Sequence, residues 1–228
     1  GHDLSYTHFT YANLGDYSCP SCGFKRPELD YKVTRVTELD VTHSSFQLDG
    51  NPMMLHNAGI SNIYNALAAY SVGRFFDVDP ASIKEAFLSN ERVFGRQEVI
   101  IANDKKIILN VVKNPVGLDQ VLNLVKLEKN PFTLVSLLNN RPADGVDLKW
   151  LEDTQFESLT DLNIEKVVTG GIAADIMTER LVTAGFDAKE IETTGDLESV
   201  IEAIKHAPTT QIHMLATYTA MLEIRKAL

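Results

Sequence analysis

The chain has 228 residues, 44% hydrophobic and 23% charged, an ordinary composition with room for one large domain or two modest ones. Its formal net charge of −10 argues against a nucleic-acid groove or an anionic membrane surface, both of which want a basic excess. No apolar run approaches the ~20 residues of a membrane span, no signal-peptide pattern is present, and two cysteines make no disulfide framework, so a reduced, cytoplasmic setting is expected.

Residues 1–30 are aromatic and turn-rich and carry the only cysteines, Cys19 and Cys22, spaced C-x-x-C. That spacing is half of a tetrahedral zinc site. A thioredoxin-like redox pair is the alternative, but it needs a following helix, which Pro20 and Gly23 do not favour. No second C-x-x-C exists, and His8, the nearest upstream imidazole, reads more readily as packed or solvated than as a third ligand.

Two alternating runs, "YKVTRVTELD" and "HSSFQLDGNPMMLH", read as antiparallel strands with a turn at Asp49-Gly50-Asn51-Pro52. "SNIYNALAAYSVGRFF" reads as a helix starting at Ser61 or Asn62. "DPASIKEAFLSN" reads as a second helix, with Asp79 as N-cap and Pro80 at its first position.

From about residue 98 apolar strands alternate with helices. The strands are "EVIIAN", "KKIILNVV", "FTLVSLLN", "KVVTGG", "KEIETT" and "QIHMLAT". The helices are "VGLDQVLNLVKLE", "WLEDTQFESLTD", "AADIMTERLVTAGF" and "DLESVIEAIKHA". This alternation predicts an α/β fold with a doubly wound parallel sheet over residues 97–228, and a boundary near Phe94–Arg96.

Several polar groups sit where such folds place sites. In "GISNIYNALAA", Asn62 and Asn65 lie on successive turns at a helix start, where an amide offers a donor and an acceptor to a base edge; spacing alone favours a cap. Arg96, in "FGRQE", is placed either to clamp a phosphate or to pair with Glu98. Asn110, Lys113 and Asn114 follow a strand at its carboxyl end, where open α/β sheets bind ligands and where turns also need polar groups. Asp144 and Asp147 lie in "NNRPADGVDLKW", at the end of another strand, and serve a functional loop or a turn with an N-cap at Asp147. "TGGIAAD" reads as a packing turn, and "LLNN" as a buried strand end and nothing more. No G-x-x-x-x-G-K-[ST] phosphate loop is present.

Taken in order, "GISNIYNALAA", "FGRQE" and "NVVKNP" resemble the back half of the Mur ligase family, the ATP-dependent ligases of peptidoglycan synthesis. "YSCPSCGFKRP" before them and "NNRPADGVDLKWLEDTQFE" after them narrow the resemblance to the branch that amidates lipid II with a GatD-like glutaminase subunit. The resemblance implies that residues 1–96 are part of a central ATPase domain, including half a zinc ribbon at about 5–30, and that residues 97–228 are a Rossmann-like C-terminal domain. It implies that the chain is a piece of a longer protein, with the other C-x-x-C and the phosphate loop upstream, and that the piece alone turns over no ATP. Asn62 matches the family's adenine-contacting Asn, Arg96 its phosphate-reaching Arg, and Asn110, Lys113 and Asn114 its ribose and hinge element. Ser61 and Asn110 depart from the His and Asp that many members carry. The resemblance further implies ATP with Mg and zinc as cofactors. It also implies that an aspartate, Asp144 first and Asp147 second, is lent to the Cys-His site of the partner, and that the enzyme works at the inner face of the membrane. The competing reading is a docking domain without a catalytic role.

Overall fold

The computed structural model describes residues 2–89 and 94–228. Its first sheet is a hairpin of β1 (Ser5–Tyr11) and β2 (Leu14–Ser18). It shields little from water, so its aromatic rings pack on each other: Tyr6 lies 5.4 Å from Phe9 and 6.0 Å from Tyr17, and Tyr17 stacks on Phe24 at 5.8 Å. Tyr64 ties it to the next unit by an edge-to-face contact with Tyr11 at 5.4 Å and a 3.1 Å hydrogen bond to Thr10.

The two alternating runs that follow form three strands, β3 (Val33–Leu39), β4 (Ser44–Leu48) and β5 (Asn51–Leu55), in antiparallel order. Asp49 and Gly50 alone make the turn, at φ 49 and 79, the left-handed pair that an Asp-Gly hairpin favours. Helices α1 (Ile60–Phe75) and α2 (Pro80–Ser89) cover this sheet through Phe46, Leu48, Met53, Ile63, Tyr70 and Ile83. Asp79 caps α2 as expected, its Oδ1 accepting the backbone N–H of Ala81 and Ser82 at 3.0 Å. The start of α1 differs from expectation. Its cap is Gly59, at φ 104, and Ser61 and Asn62 already lie inside the first turn.

The third sheet has six strands, ordered β10-β9-β8-β11-β7-β6. They are β6 (Glu98–Ala102), β7 (Lys105–Val111), β8 (Phe132–Leu137), β9 (Ile164–Gly170), β10 (Ile191–Thr194) and β11 (Gln211–Ala216). Every pairing is parallel except β6 with β7. That edge departs from the wholly parallel expectation because only Asn103 and Asp104, at φ 50 and 58, separate the two strands, and a two-residue link permits a hairpin alone. The result is a mixed α/β fold with a parallel Rossmann-like core.

Helices α3 (Pro115–Val125) and α4 (Ala174–Thr183) cover one face, where Leu134 and Val167 point, and α5 (Leu197–Lys205) and α6 (Tyr218–Ala227) the other, with Val135 and Val168. Such alternation explains why β8 is buried along its whole length. Each large apolar side chain so enclosed contributes roughly 1.5–3 kcal/mol. Helix α6 is an addition to the elements expected from the sequence. The expected helix "WLEDTQFESLTD" is instead two 3-10 turns, Lys149–Asp153 and Phe156–Leu159. Arg180 explains the break: its Nε donates to Leu151 O at 2.9 Å and its Nη2 to Thr154 O, taking carbonyls an α-helix would use. The N–H of Gln155, deprived of Leu151 O, donates to Asp119 at 2.9 Å.

Candidate functional site

The segment between β5 and α1 meets the start of β6 at Ala58, which is fully buried. Its N–H donates to Gln97 Oε1 and its carbonyl accepts from Gln97 Nε2, both at 2.7 Å, although 39 residues separate the two. Asn62 Nδ2 donates to the same carbonyl at 2.7 Å. Gln97 N–H in turn donates to Asn110 Oδ1 at 3.0 Å. Asn62, Ala58, Gln97 and Asn110 therefore form one continuous network joining α1, the start of β6 and the end of β7.

Around it, Arg96 and Lys113 are exposed, and neither has an ion pair to a described residue. The expected alternative of an Arg96–Glu98 pair is not what forms. Glu98 bonds Arg225 Nε at 2.8 Å and accepts the Gly95 N–H at 3.0 Å. Asn114 caps α3, its Oδ1 accepting the Gly117 N–H at 2.7 Å. Of the five residues expected at a nucleotide, the structure links Asn62 to Asn110 through Ala58 and Gln97, leaves Arg96 and Lys113 exposed with no ion pair among the described residues, and commits Asn114 to the helix. Asn62 keeps one amide hydrogen, and its Oδ1, which accepts from Asn65 Nδ2 at 3.4 Å, keeps a lone pair, a donor and an acceptor of the kind an adenine edge takes.

The loop after β8 carries the two aspartates. Asp144 is 5% exposed, and its carboxylate is fully engaged. Oδ1 accepts the Thr219 N–H at 2.6 Å, and Oδ2 accepts the Thr219 hydroxyl at 2.6 Å and the Arg141 N–H at 3.2 Å. Asn139, fully buried at the end of β8, is the hub beside it. Its N–H donates to Thr217 Oγ1, its Nδ2 to Thr219 Oγ1 and Glu223 Oε2, and its Oδ1 accepts the Ile172 N–H. The run "LLNN" is thus more than a strand end. The glycine of the following "TGGIAAD" turn is a packing device as expected: Gly171 sits at φ 92, and a Cβ there would meet Leu138 O at 2.6 Å. Asp147 is exposed, its Oδ1 accepting only the Lys149 N–H at 2.9 Å. It lines a cavity of about 540 Å³ with Val146, Leu151, Ile176 and Arg180. One carboxylate locks the loop; the other is presented outward.

The cysteine turn closes around the buried Cys19, with Cys22 exposed. Backbone N–H groups of Cys22 and Ser21 and the Cys22 side chain point at the Cys19 sulfur and hold its thiol below the usual range. Gly23, at φ 73, closes the turn by donating to Cys19 O at 3.1 Å. Both thiols are free. This fits two of the four ligands of a zinc site. His8 lies on β1 opposite Asp16. Among the described residues, the group of three or more converging His, Cys, Asp or Glu side chains is Glu38, Asp40 and His43, which includes neither cysteine.

Four residues of these networks have no local sequence signal or lie beyond the last element read: Gln97, Asn139, Arg180 and Thr219. A signal existed only for Thr219, since "ATYTAMLEIRKAL" carries a Thr cap and a basic last turn, the marks of a helix.

Comparison with known proteins gives a consistent picture. Residues 111–221 match the family model described as MurT ligase C-terminal. The subunit MurT of lipid II isoglutaminyl synthase (glutamine-hydrolyzing) from Streptococcus pneumoniae is 44% identical over 225 residues, 99% of this chain and 50% of that protein. The same subunit from Staphylococcus aureus is 31% identical over 184 residues, 81% of this chain and 41% of that protein. The chain spans about half the length of these curated relatives. Among solved structures, a pseudomurein peptide ligase type C from Methanothermus fervidus superposes with a TM-score of 0.67 over 98% of this chain and 47% of its own, at 20% identity. The alanine ligase MurC from Thermotoga maritima gives 0.66 over 86% and 45%, at 14% identity. At those identities the likeness is one of fold.

Proposed function

Residues 111–221 match the family model described as MurT ligase C-terminal, and we propose that the chain belongs to that family as the C-terminal part of the ligase subunit of a lipid II isoglutaminyl synthase. The observation that carries this is the 44% identity to the Streptococcus pneumoniae subunit, sustained over 99% of the chain. On this reading residues 1–96 belong to the central ATPase domain and residues 97–228 are the C-terminal domain. No helix among the described residues is long and apolar enough to cross a membrane. On this reading the enzyme meets its lipid-linked substrate at the inner membrane face.

The intact enzyme activates the α-carboxyl of the D-glutamate in lipid II and replaces the activated oxygen with ammonia. ATP with Mg supplies the phosphoryl group, which turns a poor leaving oxygen into phosphate. Ammonia comes from glutamine, hydrolysed at the Cys-His site of a GatD-like partner. Asn62 meets the adenine edge, Arg96 and Lys113 meet the phosphates, and Asn110 holds the turn between them. Asn114 stays with α3 as its cap. Cys19 and Cys22 supply one half of a zinc ribbon whose other half lies elsewhere in the protein.

The loop of Asp144 and Asp147 serves the partner. A carboxylate there orients the imidazole of the Cys-His pair and stabilises its charged form. The exposed carboxylate of Asp147 favours it for contact in trans, with Asp144 holding the loop through Thr219. Full-length protein containing this chain, combined with the glutaminase subunit, ATP, glutamine and lipid II, is expected to yield the amidated lipid. Failure to amidate lipid II with either glutamine or ammonium as donor would overturn the proposal.

A further inference from the structure

We propose that Gln97 is a positioning residue for the nucleotide, a clasp whose side chain fixes Asn62 and Arg96 relative to each other. This inference rests on the nucleotide reading above. A buried amide that spends its donor and its acceptor on both backbone groups of one residue behaves like one rung of a β-ladder made by a side chain. The rung joins two units that meet across 39 residues of sequence, the α1 entry and the start of the six-stranded sheet.

Three of the nucleotide residues hang on it. Asn62 shares the Ala58 carbonyl with Gln97, so the rotamer of Asn62 is set by where that carbonyl lies. Asn110 accepts the Gln97 N–H. Arg96 precedes Gln97 in the chain, and its backbone is held on both sides. Gly95 donates to Glu98 and accepts from Val111 at 2.8 Å, while Gln97 sits at φ 51. A non-glycine residue keeps that left-handed backbone only where its surroundings fix it. The exposed guanidinium of Arg96 is thereby aimed by a residue that never touches the ligand. Exchanging Gln97 for a side chain of equal bulk leaves Ala58 N–H buried without its partner and releases Asn62 and Arg96 together.

The test uses the full-length protein with its glutaminase partner and the variants Gln97→Met and Gln97→Glu. The first removes the two hydrogen bonds to Ala58 at nearly constant volume. The second keeps the acceptor for the Ala58 N–H, and it carries the test if the first fails to fold. Gln97→Met is expected to raise the KM for ATP about tenfold, the size of two lost hydrogen bonds, with KM for glutamine and kcat at saturating ATP unchanged. Gln97→Glu, which turns a carboxylate oxygen toward the Ala58 carbonyl, is expected to raise the KM for ATP at least as much. A fluorescent ATP analogue, titrated without turnover, should show the same order of affinities. A lowered melting temperature with an unchanged KM for ATP in both variants would overturn the proposal and leave Gln97 a packing residue. Wild-type protein that binds no ATP would overturn the nucleotide reading itself, a separate result.

Discussion

Asp144 and Thr219, 75 residues apart, hold each other through two hydrogen bonds of 2.6 Å, one from the Thr219 backbone N–H and one from its hydroxyl. Asp144 thereby caps α6 from a distant loop, satisfying an N–H that the helix itself leaves open. The same hydroxyl also accepts from Asn139 at 3.0 Å. Thr219→Val keeps the shape and removes the hydroxyl from both bonds. It is expected to lower the unfolding free energy by about 1–3 kcal/mol, read from urea denaturation.

Arg180 is 8% exposed and holds the 3-10 turns by the carbonyls of Leu151 and Thr154, with its guanidinium 2.9 Å from Glu157 and 5.6 Å above the Phe156 ring. Arg180→Met keeps the stem and removes the hydrogen bonds to the Leu151 and Thr154 carbonyls together with the Glu157 ion pair. A loss of about 2–4 kcal/mol is expected in chemical denaturation, accompanied by faster amide exchange over residues 149–159.

At the opposite end of the sheet, Glu128 packs against His213, with 3.4 Å between Oε2 and Nε2 and a side chain only 6% exposed. The hydrogen bond to His213, together with the N–H groups of Asn130 and Lys129, depresses its carboxyl to about 2 against the opposing effect of burial. A depressed carboxylate stabilises the fold above its unfolded pKa, and that contribution drains away as pH falls toward the folded value. Wild-type stability should therefore fall between about pH 5 and about pH 2, by up to about 3 kcal/mol from this group. Glu128→Gln should be less stable at neutral pH and show a shallower decline, measured by urea midpoints across that range.

Zinc affinity offers a fourth check. With two thiolates of a four-ligand set, the isolated chain should bind zinc orders of magnitude more weakly than a complete ribbon, and Cys22→Ser should abolish binding. Competition against a chromophoric chelator reads both.

The parts of the fold that were legible in sequence are those encoded by neighbours. The alternation of "FTLVSL" with helical runs announces a buried parallel strand, and Asp79-Pro80 and Asp49-Gly50 announce a helix start and a turn by their own backbone preferences. What was not legible depends on residues far away in the chain. The helical pattern of "WLEDTQFESLTD" is real, but Arg180, on α4, takes the carbonyls that would propagate it. Asn62 resembles an N-cap, yet Gly59 reaches the left-handed conformation the entry needs and Ala58 claims the amide. Asp144 and Asp147 are equivalent in the motif, and only the position of Thr219 separates a locked carboxylate from a presented one.

The most direct measurement is the glutaminase activity of the GatD-like partner, alone and with this chain as wild type, Asp144→Asn or Asp147→Asn. The expected result is stimulation by the wild type that Asp147→Asn removes while binding persists, with Asp144→Asn weakening it through the loop. Undiminished stimulation by both variants, or tight binding with no stimulation by the wild type, would contradict the shared site and leave the chain a docking domain.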